Sequence, residues 1–484
     1  SSHASMGASV DMHLNVLGDA FRYNTIFPFG LGYSLVTLWG ACAVALVAFL
    51  ATFSGGWVYL KLLLMAMLWC APPALLSVHD RGRYFYWLDV FGKWSLLDMF
   101  VLVQSMIGFF VRIKHPDLQV LPEQLYHVDL IVTPAYGLYS FCLAVSMSLF
   151  LSHVQVVYHR NAVTSENAPT AGASSWFDIG AEDTTRVSVA NAFVNAAEGK
   201  GGRDEEGEDW EKRSAKCTFC AQRLSLVVPF LLVSSLALLC YGAYIPSWTF
   251  TTHGLVGIAV EFGEDGASVR TQSLFSAISQ MFLQASLTAP FWGSGFGVCV
   301  IACIYLAFCF VVPALALLGM MVLWVVPMKL RRAKLSLFLV QILISFSALE
   351  VWILGVGVTV LQIKFVSYSV LDRQCYPLKP LFHGLARYDL MQAEDTSCFQ
   401  IDGKFEWSGI VTLISAAIAA QVVSHIVLRE AQRVIQQREE KAVNFGREKG
   451  SGAGGSMAYS NRDEWDEDEG GDEIRAKKAW NDAL

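Results

Sequence analysis

The chain has 484 residues, of which 54% are hydrophobic and only 16% charged, and its mean hydropathy is +0.44. Soluble domains carry about a quarter charged residues, so these proportions exclude an ordinary soluble protein. The net charge of −7 gathers in a few polar stretches and leaves no basic stripe of the kind nucleic-acid binding needs.

In chain order, Ser1–Gly7 (SSHASMG) carries no structural signal, and no cleavable leader is evident after it. Apolar runs follow at Val36–Phe53, Trp57–Val78, Ser95–Val111, Leu130–Val157, Leu224–Ile245, Val298–Val326, Leu335–Ile363 and Ile410–Leu428. Most approach the ~20 residues a helix needs to cross hydrocarbon, which predicts an all-α polytopic membrane protein. The first two runs are expected to form one long helix bent near Gly55-Gly56, giving seven crossings; two separate spans would give eight. A shorter segment near Ser273–Ala285 suits a re-entrant or interfacial helix. His159–Ala215 and the tail after Arg433, with its acidic run around Asp463–Glu473, lack the apolar surface to offset ordering entropy and predict disorder.

Basic residues flank one set of helix ends: Arg81 and Arg83, His159-Arg160, Lys212–Arg223, Lys329–Arg332 with Lys334, and Arg429 onward. Under the positive-inside rule these face the cytosol, as does the carboxyl terminus. The start of the chain, Arg112–Asp129, Pro246–Arg270 and Asp372–Glu406 then fall on the outer side.

The chain also resembles itself. Leu62–Pro72 (LLLMAMLWCAP) matches Leu317–Pro327 (LLGMMVLWVVP) at an offset of 255. Ser95–Phe100 (SLLDMF) matches Ser347–Trp352 (SALEVW) at 252, and Gly137 with Ser152-His153 matches Gly409 with Ser424-His425 at 272. The order is the same in both halves, which predicts two tandem repeats of a four-helix transmembrane module, the first lacking its opening helix. The expected organisation is a partial first module over 14–158, an acidic linker over 159–216, a second module over 217–433 and an acidic cytosolic tail over 434–484.

Trp94-Ser95-Leu96-Leu97-Asp98-Met99-Phe100, and more loosely Phe346-Ser347-Ala348-Leu349-Glu350-Val351-Trp352, resemble a helix-entry motif of the paraquat-inducible protein A family (the PqiA/LetA type) of integral membrane proteins. Ile245-Pro246 with Thr249-Phe250-Thr251, Ser152-His153 and Ser424-His425 are similar to other helix ends of that family. The resemblance covers most of the chain from Gly18 to Arg433. It implies a membrane component of a lipid-transport system, without an ATPase of its own, that hands phospholipid to an outer-side lipid-binding or tunnel-forming partner. Family members carry a CxxC…CxxC zinc ribbon; here only Cys217-Thr218-Phe219-Cys220 stands, half of the four ligands a closed zinc site requires. The long acidic linkers differ from compact bacterial members and point to a eukaryotic relative.

Asp98 and Glu350 are carboxylates deep in apolar runs, where each costs at least ~2.5–3.5 kcal/mol unless it faces a protein interior or water. Two roles fit them: a proton-sensitive relay on a lipid path, or a hydrogen-bonded clamp between helices. Lys61 and Lys93 are candidate partners for Asp98, while their counterparts in the second half, Ala316 and Ser345, leave Glu350 without an equivalent cation. With Ser95 and Ser347 these residues form the expected polar centre of a lipid path. His153 and His425, near inner helix ends, either sense pH or interact with the helix carboxyl end. Cys375 and Cys398 share an outer segment and suit a disulfide. Gly293–Gly297 (GSGFG) suits an interfacial loop or a hinge. No phosphate loop, metalloprotease helix or nucleophile elbow occurs, so catalysis is not expected. Two other readings stay open: a tetraspanin-like adaptor, and a proton-coupled transporter of a small solute.

Overall fold

A computed structural model describes residues 6–14, 19–29, 36, 39, 47–48, 51–72, 76–114, 126–134, 136–166, 187–192, 194, 208–262, 268–287, 294–375 and 399–452. Helices dominate: α1 (Trp57–Cys70), α2 (Val78–Gly92), α3 (Leu97–Phe109), α4 (Tyr136–Glu166), α5 (Glu208–Tyr244), α6 (Leu255–Phe262), α7 (Leu274–Leu287), α8 (Ser294–Leu306), α9 (Val312–Val325), α10 (Leu330–Phe346), α11 (Leu349–Cys375) and α12 (Trp407–Gly452). Among the described residues six helical stretches are long and apolar enough to cross a membrane: Asp80–Phe109, Gly137–Val156, Ser225–Tyr244, Gly295–Val325, Leu330–Ser367 and Trp407–Arg438. The outward faces stay apolar. Val411, Ile414, Ile418 and Val422 of α12 are exposed at helical spacing, while Leu413, Ala416, Ala417 and Val423 turn inward. A helix apolar all round is one that meets lipid on the side its neighbours leave open.

Of the first expected span, Val36–Val78, most residues before Ala51 lie outside the described ones. A π-helical turn over Ala51–Gly56 contains the glycine pair, and α1 follows it with 14 residues.

Short strands accompany the helices. Among the described residues seven strands, β1 (Met6–Leu14), β2 (Asp19–Phe29), β3 (Val111–Lys114), β4 (Tyr126–Pro134), β5 (Trp248–His253), β6 (Val269–Gln272) and β7 (Gln400–Phe405), form two antiparallel sheets ordered β2-β1-β4-β3 and β6-β5-β7. Most fall at the segments expected to be outer loops, whereas β4 also takes the first residues of the run Leu130–Val157, expected to be a span. In the second sheet Trp248 stands opposite both Gln272 and Phe405. The aromatic and β-branched run Trp248-Thr249-Phe250-Thr251 suits such a pleated surface. The Arg270 guanidinium of β6 donates to the Phe110 carbonyl next to β3, tying the two sheets together. Gly409 permits the tight entry to α12, since a Cβ there would lie 2.1 Å from the Pro246 carbonyl oxygen.

The core is continuous across both halves. Phe100, Tyr305, Trp352 and Trp248 meet edge to face where α3, α8, α11 and β5 converge. Gln104 and the Trp352 indole both donate to the Tyr305 hydroxyl oxygen, a buried polar node inside that cluster.

Two expectations of disorder are corrected in part. Helix α4 continues to Glu166, α5 starts at Glu208 and α12 reaches Gly452. Within the linker Val187 forms an antiparallel bridge to Met328, and Ser188 and Val189 are buried against the core. Few but well-placed apolar side chains thus anchor a polar segment.

One span is broken. Between α10 and α11 the backbone turns extended at Ser347 (φ −68°, ψ 109°). The Ala348 amide finds its acceptor in another helix, the carbonyl of Phe308 at 3.3 Å. That carbonyl is available because α8 passes through a π-turn at Ala307–Val311, where Val312 bonds back to Ala307. The next π-type donor would be Pro313, which has no N–H. The matching stretch of the first half tightens into a 3₁₀ turn at Lys93–Leu96 instead.

Candidate functional site

Beside the break lies a narrow, half-open cleft of about 430 Å³, a figure that includes its open mouth. Its walls come from α5 (Leu239), α9 (Pro313, Ala316, Leu317, Met320) and α12 (Ala416, Ala417, Ala420). Small side chains on α12 leave the space that larger ones would fill. Its polar end is made by Ser347 and Glu350 at the break, with Gln421 and Ser424 of α12.

Glu350 is in the first turn of α11, where the free amides of a helix start favour a carboxylate. One of its oxygens accepts from the Gln421 carboxamide. The other meets Lys93 of the first half at 2.5 Å, with 12% of the lysine and 28% of the glutamate side chain exposed. Irregular backbone and charge at this depth are tolerated where protein or a polar cavity surrounds them. Here both conditions meet.

Next to this pair lies a second group. The Asp89 Oδ2 of α2 accepts from Ser345 of α10 at 3.0 Å, and Oδ1 lies 3.7 Å from the His153 Nε2 of α4. Lys61 of α1 is fully buried and its charge interacts with Asp89, yet its ammonium has no hydrogen-bond partner. It reaches over Gly92, where a Cβ would come within 2.7 Å of Nζ. Lys61–Asp89–Ser345 and Lys93–Glu350–Gln421 thus form one polar layer joining the two halves.

The expected centre of six residues is therefore divided. Ser347 and Glu350 line the cleft, and Lys93 stands behind Glu350. The expectation that Glu350 lacks a cation is overturned: its cation is supplied across the interface, by the lysine assigned to Asp98. Lys61, expected as a partner of Asp98, interacts with Asp89. Asp98 is buried in the first turn of α3, close enough to Cys142 of α4 for its charge to act on the thiol. Ser95 is buried beside it in sequence, its hydroxyl without a hydrogen-bond partner. His153 points into the polar layer, while His425 is exposed and its neighbour Ser424 faces the cleft.

Cys217 and Cys220 fall within the continuous helix α5, and their side chains lie outside the described residues. The same holds for the Cys375 side chain and all of Cys398, so the disulfide expectation falls outside the described residues. Among the described residues no cluster of three or more His, Cys, Asp or Glu is placed to hold a metal ion.

Asp89, Ser345 and Gln421 were not expected at the site. The signal was present for Gln421, one amide in the otherwise small and apolar run Ala416–Val423, and for Asp89, an acid one turn before Lys93.

Fold and site together define a multi-pass, mainly helical membrane protein with a polar layer between its halves. The chain matches no family model, no curated protein and no solved structure.

Proposed function

We propose that this protein is the membrane component of a lipid-transport system, sheltering phospholipid acyl chains in the cleft between α5, α9, α11 and α12 and handing lipid to an outer-side lipid-binding or tunnel-forming partner. The single observation that carries this reading is the cleft itself: an apolar, alanine-walled space at membrane depth, ending on Glu350 and Gln421. Its apolar walls suit contact with hydrocarbon, and its polar end suits a headgroup. A small hydrophilic solute would find few partners along the same walls.

The reading includes a duplicated module. Helices α1 and α9 both have 14 residues and start at Trp57 and Val312, the offset of 255 found between the sequence matches. Helices α3 and α11 start at Leu97 and Leu349, an offset of 252, and each carries its acid in the first turn. The strand orders β2-β1-β4 and β6-β5-β7 correspond one to one. These correspondences support two repeats of one module; the basic residues at one set of helix ends favour placing the sheets on the outer side and the carboxyl terminus in the cytosol.

The test is lipid co-purification by mass spectrometry, comparing the native protein with Ala420→Trp, which fills the cleft from an interior wall, and Glu350→Ala. Specific phospholipid on the native protein and its loss from a folded Ala420→Trp supports the reading. The same bulk lipid on all three overturns it and favours the adaptor.

A further inference from the structure

Lys61 is an anomaly that lipid shelter alone leaves unused. An ammonium fully removed from solvent ordinarily acquires a carboxylate or several hydrogen bonds, because its desolvation is otherwise uncompensated. Here it has no hydrogen-bond partner, and the Asp89 Oδ1 on its flank accepts no hydrogen bond either. Asp89 faces three elements: Lys61 on α1, His153 on α4 and the Ser345 hydroxyl on α10. On its own span Lys93 lies one turn further and is committed to Glu350. Phe346 of α10 covers the imidazole at a centroid distance of 5.6 Å. One carboxylate therefore serves two bases in a desolvated setting. A metal ion does not suit a group that already contains a buried ammonium, whereas a proton does.

We infer that Lys61, Asp89 and His153 form a proton-binding site at the junction of the two halves, and that loading it loosens the cleft wall so that lipid release is coupled to proton uptake. This rests on the lipid reading above. The proton comes from water and forms an N–H bond at His153; nothing is oxidised or reduced. The imidazolium then draws the Asp89 carboxylate toward α4 and away from the Ser345 hydroxyl. Ser345 is the penultimate residue of α10, two positions before the cleft residue Ser347 and five before Glu350. Losing that bond frees the end of α10 at the break that shapes the cleft. The coupling path is thus one hydrogen bond and two residues of chain, a contiguous physical route. Because the loaded site is the loosened one, lipid is held at higher pH and released at lower pH.

The experiment measures retention of an acyl-labelled phosphatidylcholine by the full chain in detergent, at about pH 8 and about pH 5.5, on either side of the ordinary histidine range. The native protein is expected to lose roughly tenfold in retention on acidification, the equilibrium factor a charge-assisted hydrogen bond commands. His153→Gln, which keeps a polar side chain without titrating, retains lipid at both values. Ser345→Ala, a small change at a helix end, releases it at both. Equal retention by the native protein at both values overturns the coupling and leaves the lipid reading intact. A His153→Gln protein that still responds to pH overturns this site as the proton's location. No retention at either value removes the lipid reading, and the coupling with it.

Discussion

The pair between Lys93 and Glu350 is the contact on which the union of the two halves can be measured. At 2.5 Å, and with an effective dielectric near 20, the gross attraction is roughly 7 kcal/mol. Most of it is offset by desolvation, because each partner is mainly withdrawn from solvent. The net coupling should fall near ~1.5–3 kcal/mol, the range of hydrogen bonds between charged groups. Gln421 donates to the same carboxylate and survives the loss of Lys93, so Lys93→Ala should be milder than Glu350→Ala, which strands both donors. The assay is a double-mutant cycle: Lys93→Ala, Glu350→Ala and both together, with unfolding followed in mixed micelles. The charge reversal Lys93→Glu with Glu350→Lys should recover part of the stability lost in either single reversal. A coupling below ~0.5 kcal/mol, the level at which independent sites simply add, would refute the claim that this pair joins the halves.

Tyr305→Phe should destabilise the protein by ~2–5 kcal/mol, more than loss of a single hydrogen bond, because Gln104 and the Trp352 indole would both lose their acceptor in a buried site; a melting temperature equal to that of the native protein would contradict this. Gly409→Val should cost at least ~2 kcal/mol through overpacking, since its Cβ would meet the Pro246 carbonyl at 2.1 Å, and thermal unfolding of the detergent-solubilised protein reads it directly.

The spans were legible because a membrane helix is declared by composition: the run Val298–Val326 needs no knowledge of its neighbours to be read as Gly295–Val325. The strands were not. Trp248–His253 has six residues, four of them threonine or histidine, and becomes a strand only when Val269–Gln272 and Gln400–Phe405 arrive from far along the chain. The site was half legible for the same reason. Glu350 stands out as an acid in an apolar run, but its cation is 257 residues away in sequence and belongs to the other half. Local spacing assigned Lys93 to Asp98, five residues on, whereas packing of the halves assigned it to Glu350. Asp89 escaped notice because it precedes the apolar run that begins at Ser95, although the span in three dimensions starts at Asp80.

The hydrogen bond between Ala348 and Phe308 has a mechanical consequence. A continuous helix resists bending evenly along its length, since every turn is bonded to the next. In Leu330–Ser367 the ladder is interrupted at Ser347-Ala348, and the bond to Phe308 supplies an acceptor from outside the span. Flexural compliance is therefore concentrated at one joint, with a latch on a neighbouring helix whose stiffness depends on Pro313 having no proton to offer. Restoring a donor at position 313 would give Phe308 a second suitor and change how easily the joint swings, without altering any residue of the joint itself.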